Sequence, residues 1–163
     1  MVKLLALYPI GRILFWISIE LKSYLFYLVN EVRAIEYPWV VENLRFVPRG
    51  DLILDVGCAE SLLSHELIAR GFRVVGIDIQ DYPFKDKRMI FLKRNIMDNH
   101  LPDNIFDAIV MVSTIEHIGL RSNGQTVEDT NGDLRTMNEL ARILKHQRII
   151  ILTTPTSEKN PYE

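Results

Sequence analysis

A chain of 163 residues is long enough to bury one domain-sized core. With 48% hydrophobic and 25% charged residues it has the composition of a globular protein, not of a disordered or fibrous one. A net charge of −2 leaves no bulk electrostatic footprint for nucleic acid, so no nucleic-acid partner is expected. The single cysteine, Cys58, excludes an internal disulfide and a cysteine-rich zinc site, which suits a cytoplasmic protein.

Residues 1–35 read as an apolar N-terminal helical segment, rich in Leu, Ile, Phe, Trp and Tyr. A spanning helix needs roughly 20 consecutive apolar residues. Arg12, Glu20 and Lys22 break the run, and Pro9 and Gly11 interrupt it earlier. A secretory signal fits poorly, because only Lys3 precedes the apolar run and no small-residue cleavage site follows. Helices that are apolar nearly all round must be buried somewhere. Their own domain, a membrane surface and a protein partner are the three candidates.

Residues 36–163 read as the main domain. "EVRAIEYPWVVENL" is a short turn and helix, with Pro38 at a first helical position and Tyr37 pushed towards extended geometry. Pro48–Asp51 is a turn. Leu52–Val56 is an apolar strand, followed by a helix from Ser61 to Arg70 with Ser61 as N-cap and Gly71 as C-terminal glycine. Strands follow at Phe72–Ile77, Met89–Leu92 and Phe106–Val112. The connection between the last two is short and polar, with room for a turn or short helix. Asp133–Leu144 is a helix with Leu134, Met137, Leu140, Ala141 and Leu144 along one face. Arg148–Thr153 is a fifth strand, halted by Pro155. Apolar strands alternating with helices imply a parallel sheet covered on both faces.

In such a sheet, ligands bind at the carboxyl ends of the strands, near the point where strand order reverses. After the first strand, "DVGCAES" supplies Gly57 for a tight turn and the small residues Cys58, Ala59 and Ser61, which let backbone approach a flat ligand. Asp78 ends the second strand, where a carboxylate can accept hydrogen bonds from the two hydroxyls of a ribose. The dinucleotide pattern G-x-G-x-x-G is incomplete, with Ala59 at its second glycine and no third. A pyrophosphate would be poorly cradled, which favours an adenosine carrying an amino acid. Asp55, a charge at the end of an apolar strand, needs compensation from a helix start, an ammonium group or turn amides.

"LILDVGCAES", "VVGIDI", "FLKRNIMDNHLPDNIFDAIVMVSTIEHIG" and "ELARILKHQRIIILTTP" together resemble, in order and spacing, the class I S-adenosylmethionine-dependent methyltransferases, over about Glu36 to Pro155. The resemblance implies an α/β fold: a Rossmann-like doubly wound sheet of about five parallel strands in the order 3-2-1-4-5, with helices on both faces. It implies S-adenosylmethionine as cofactor. Asp55 and the backbone of Gly57, Cys58 and Ala59 would face its methionine part, and Asp78 would hold the ribose. Ile79 would pack on the adenine, Asn95 would hydrogen-bond the adenine amino group, and Ile96 would add backbone contact or packing. Asp98 substitutes for Asn95 if the register shifts. Ser113 and Thr114 would lie where the methyl group meets its acceptor, and Glu36 would approach from an N-terminal helix.

"STIEHIG" carries the candidate catalytic pair, Glu116 and His117. Methyl transfer is an in-line displacement, so the protein mainly positions the acceptor and excludes water. A base helps where the acceptor is a hydroxyl, and an unperturbed histidine titrates near about 6.5. The pair is equally compatible with a structural role. Quinone-type O-methyltransferases with E-x-x-E-H hold a metal there; Ser113 occupies that first position, so no metal is expected. The remaining histidines, His65, His100 and His146, read as surface residues. The resemblance also implies two further strands that "SEKNPYE" cannot supply. The fifth strand's bare edge would then call for a homodimer, a partner or the N-terminal helices. The long polar loop Leu120–Asp133 fits a lid or substrate contact. The expected activity is methyl transfer to a small-molecule or lipid-like acceptor. The alternatives are an inactive methyltransferase-like binding module, or an NAD-dependent oxidoreductase.

Overall fold

The computed structural model describes residues 31–84, 86–120 and 129–155. The apolar stretch before Glu31, residues 121–128 of the polar loop and residues 156–163 lie outside them, and with them the N-terminal packing and loop expectations. The chain divides into two compact units, Met1–Tyr37 and Pro38–Glu163. None of the described helices is long and apolar enough to cross a membrane.

Helix α1, Glu31–Asn43, runs through Pro38 instead of starting at it. Proline has no N–H to give the carbonyl one turn earlier. Arg33 Nη1 donates to the Tyr37 hydroxyl at 2.9 Å across that same turn. Beyond Pro38, Val40 and Leu44 are fully buried, and the chain turns at Pro48–Asp51, where the Asp51 N–H donates to the Pro48 carbonyl at 3.2 Å.

The second unit is built on five parallel strands: β1 Leu52–Val56, β2 Arg73–Asp78, β3 Met89–Lys93, β4 Phe106–Val112 and β5 Leu144–Thr153. Their order is β3-β2-β1-β4-β5, as the resemblance implied. Helix α2, Leu63–Ala69, crosses from β1 to β2, and α3, Gly132–Ile143, from β4 to β5. These crossovers run in opposite directions along the sheet. Right-handed connections therefore place the helices on opposite faces. Leu54, Val56, Val75, Ile77, Ile109 and Met111 form one core with Leu140 and Ile143 of α3. Alternate residues Ile53, Val74, Ala108 and Val110 are buried too, and point to the other face.

Further local expectations differ from the structure. In α3 the buried stripe is Gly132, Thr136, Leu140 and Ile143, whereas Leu134 is 62% and Met137 38% exposed. The apolar residues at 134 and 137 suggested a face that the packing does not use. β5 begins at Leu144, and its pairing slips between Phe106↔Leu144 and Ala108↔Ile149. The extra residues bring Lys145 Nζ to 2.7 Å and Arg148 Nη2 to 3.3 Å from buried Asp107 Oδ1. A charge in a strand is costly unless paired, and this irregularity supplies the pairs. Finally, His65 is half-buried: its Nδ1 lies 2.9 Å from the Tyr82 hydroxyl, and Tyr82 stacks on Phe91 with centroids 5.6 Å apart. This aromatic cluster packs the β2–β3 connection, which has no helix among its described residues. The β3–β4 connection holds only a 3₁₀ turn, Ile96–Asp98.

Candidate functional site at the switch point

Strand order reverses between β1 and β4, where Val56 pairs with Met111. The segments leaving these two strands therefore meet above the sheet, which is where a ligand crevice forms. Gly57 turns the chain at φ +77°, and its N–H donates to the Ile77 carbonyl at 2.9 Å. A side chain here would collide with Thr114. A Cβ on Gly57 would overlap Thr114 Oγ1 and Cγ2 and lie 2.8 Å from its Cβ. The Thr114 hydroxyl in turn donates to the Val112 carbonyl at 2.9 Å. Ser113 holds φ +45°, uncommon outside glycine, with its N–H donating to the Thr153 carbonyl and hydroxyl, each at 3.1 Å. Strained residues of this kind gather at functional sites.

Asp55 is 2% exposed, and Ser64 of α2 donates its hydroxyl to Oδ2 at 2.5 Å. The charge is thus met at the helix start, one of the compensations the sequence left open. Ser61 is not the N-cap: Leu62 holds that position, and Ser61 Oγ accepts the Leu63 N–H at 3.0 Å. The helix begins two residues later than expected because this serine turn precedes it.

Asp78 joins the turn to the end of β2. Its Oδ2 accepts the Ala59 N–H at 2.9 Å and its Oδ1 the Gln80 N–H at 2.8 Å. Each oxygen keeps a second lone pair, enough for a pair of ribose hydroxyls. Ile79 is half-buried beside it. Cys58 and Ala59 are buried, and Cys58 points inward: its Sγ occupies the space a Cβ on Gly76 would need, 2.7 Å away. Only the backbone of Cys58 can serve a ligand. Burial pushes its thiol far up, and the charges of Asp55 and Asp78 add to the shift. The thiol is therefore no nucleophile.

Asn95 caps the 3₁₀ turn, its Oδ1 accepting the Met97 N–H at 3.0 Å, with one lone pair left over. The Ile96 side chain belongs to the core, which leaves its backbone for contact. Asp98 is exposed and paired with His100 at 3.3 Å.

Ile115–His117 form a second 3₁₀ turn directly after Ser113 and Thr114. Glu116 is half-buried, and its Oε2 is shut off from solvent without a hydrogen-bond partner among the described residues. His117 is exposed. The structure thus brings Asp55, Gly57, Ala59, Asp78, Ser113 and Thr114 together at one end of the sheet, with Glu116 and His117 on the adjoining turn. Sequence reasoning missed Ser64 and the Asp78–Ala59 bond. Both partners are remote in sequence, and no local pattern marks them.

A family model described as a methyltransferase domain matches residues 54–152. The chain is 26% identical over 100 residues to the ubiquinone biosynthesis O-methyltransferase of Dechloromonas aromatica, covering 55% of this chain and 42% of the relative. It is 24% identical over 148 residues to the enzyme of the same name from Rickettsia bellii, covering 84% and 57%. The chain therefore spans about half the length of the curated relatives it matches. Its fold is also that of Haemonchus contortus phosphoethanolamine N-methyltransferase 2, solved with S-adenosyl-L-methionine, at TM-score 0.59 and 18% identity, covering 75% of this chain and 30% of that one. The family match takes in more than half of the chain and contains the Gly57 turn, Asp78 and the Ser113–His117 segment, and the chain belongs to this family of methyltransferase domains.

Proposed function

We propose that this chain binds S-adenosylmethionine over the ends of β1 and β2 and directs its methyl group to an acceptor beside the Ser113–His117 segment. One observation carries the reading: the Asp78 carboxylate holds both the Ala59 and Gln80 N–H groups while keeping a lone pair on each oxygen. The small-residue turn and the Asn95 oxygen complete a donor and acceptor set that fits an adenosine carrying an amino acid. It lacks the glycines a pyrophosphate would need. The cofactor would supply an electrophilic methyl group on a sulfonium.

The acceptor we propose is a small, lipid-like molecule bearing a hydroxyl. The relatives named as O-methyltransferases support that class. Glu116, half-buried on the turn that follows Ser113 and Thr114, would orient the hydroxyl by accepting its hydrogen bond. His117 would take the proton as the oxygen–carbon bond forms. The inert Cys58 thiol favours direct transfer with no enzyme-bound methyl.

Calorimetry with S-adenosylmethionine tests the cofactor, and transfer of tritiated methyl to 4-nitrocatechol tests the acceptor class. Saturable binding that weakens about tenfold or more in Asp78→Ala is expected, from the loss of charged hydrogen bonds. Equal affinity in the variant refutes the assignment of Asp78. Binding without transfer to any hydroxyl probe refutes O-methylation.

A further inference from the structure

The turn carrying Glu116 and His117 is short. It is a three-residue 3₁₀ helix with two internal bonds, His117 N–H to the Thr114 carbonyl at 3.0 Å and Ile118 N–H to the Ile115 carbonyl at 3.2 Å. Such short turns are weakly held, and this one follows a strained Ser113. Its far end, however, is fastened. Gly119, at φ +86°, accepts the Asp129 N–H on its carbonyl at 2.8 Å. A Cβ on Gly119 would overlap the Asp129 carbonyl oxygen, and a Cβ on Gly132 would lie 2.8 Å from the Gly119 α-carbon. Backbone meets backbone here with no room for a side chain.

Asp129 closes the arrangement from the other side. Its carbonyl accepts the Gly132 N–H at 3.0 Å, its Oδ1 the Asn131 N–H at 3.0 Å, and its Oδ2 the Arg135 guanidinium at 2.5 Å. Arg135 N–H then donates to the Asn131 carbonyl at 3.0 Å inside the first turn of α3. The start of α3, itself seated in the core through Thr136 and Leu140, and the Glu116–His117 turn are thus joined at Gly119.

We propose that Asp129 is a positioning residue for the acceptor side of the site, holding Glu116 and His117 in place through Gly119. The inference rests on the methyltransferase reading above. It also explains how Glu116 keeps one oxygen shut away from water with no hydrogen-bond partner among the described residues. A buried oxygen without a partner moves towards solvent unless the backbone beneath it is held.

The test uses the full chain with Asp129→Ala and Asp129→Asn, the second retaining the Oδ1 acceptor. In Asp129→Ala, the His117 and Ile118 amides should exchange about tenfold faster with solvent, while those of Gly57 and Ala59 are unchanged. Methyl transfer to 4-nitrocatechol should fall about tenfold or more through kcat, from misplacement of the reacting groups. Affinity for S-adenosylhomocysteine should stay within about twofold, and Asp129→Asn should recover most of the rate. Unchanged exchange at His117 and Ile118 overturns the proposal, as does a loss of S-adenosylhomocysteine affinity in step with the rate. Failure of the wild-type chain to bind S-adenosylhomocysteine would instead sink the methyltransferase reading, and the exchange result would still decide whether Asp129 holds the turn.

Discussion

Replacing Gly57 by alanine tests how the two halves of the site are joined. Two costs can be separated. The first is conformational: alanine at φ +77° occupies the left-handed region, at about 1–2 kcal/mol. The second is steric: the new methyl would overlap Thr114 Oγ1 and Cγ2 and lie 2.8 Å from Thr114 Cβ, an overpacking of the kind that costs about 1–3 kcal/mol. Together they predict a loss of about 2–5 kcal/mol, and 3 kcal/mol corresponds to a melting temperature lower by about 6–12 °C in a chain of this size. Thr114→Gly removes all three clashing atoms. In a double-mutant cycle followed by urea denaturation, Gly57→Ala should therefore cost only its conformational part, about 1–2 kcal/mol, when Thr114 is absent. The lost Thr114 hydroxyl bond appears in both arms of the cycle and cancels. A Gly57→Ala variant within about 1 kcal/mol of wild type, or a coupling near zero, would refute the close approach of Thr114 to the turn.

Stability should fall on acidification below the ordinary carboxylate range of about 3.9–4.3. Burial pushes the Asp107 carboxyl up, but Lys145, the Leu52 N–H and Arg148 outweigh it and hold the group below its usual value. A folded value below the unfolded one means that this stabilisation is present above the unfolded value and lost as pH falls through the folded one. Urea denaturation across this range should show a shallower loss in Asp107→Asn. Cys58, with its thiol pushed far up by burial first and by Asp55 and Asp78 next, should resist a disulfide reagent at pH 8 in the native chain and react on unfolding. Fast reaction of the folded chain would contradict its inward placement. Thr136 is fully buried on α3, its hydroxyl without a hydrogen-bond partner among the described residues, so Thr136→Val should raise stability by about 1 kcal/mol; a loss would reveal a hydrogen bond made by that hydroxyl.

What the sequence showed clearly was the part written in local pattern. β1 and β4 are apolar runs broken by one aspartate each, Asp55 and Asp107, and their predicted bounds coincide with the observed ones. Such strands can only be buried on both faces. Strand order came through ordered motifs, none specific alone. The misreadings share one cause, which is that tertiary contact overrode local preference. Pro38 suggested a helix start, yet lies inside α1. Leu134 and Met137 suggested a buried face, yet α3 packs through Gly132, Thr136, Leu140 and Ile143, with a glycine and a threonine where an apolar stripe was sought. His65 carried no spacing signal, because its partners Tyr82 and Phe84 reach it from beyond β2. In the site, residue types were legible and couplings were not. Asp78 reads as a ribose ligand, but its bond to Ala59, nineteen positions away, exists only once β1 and β2 are side by side.

That bond changes what the site is. The carboxylate proposed to recognise the ribose also anchors the turn proposed to receive the rest of the cofactor. The same turn is covered from below by Thr114, whose neighbour Ser113 is pinned to the end of β5. From Thr114 the chain passes directly into the Glu116–His117 turn, which Gly119 and Asp129 fasten to α3. The proposed cofactor side and the proposed acceptor side are thus joined by one series of contacts across the switch point. A reaction that depends on aligning a methyl donor with an acceptor along one line needs its two sides joined. It also follows that substitutions at Gly57, Asp78, Thr114 and Asp129 should couple energetically where their contacts are shared, and act additively where they are not. Asp78, at the end of β2, bonds the turn that Gly57 makes, so the two should couple, whereas the described contacts of Asp78 and Asp129 are separate and those two should simply add.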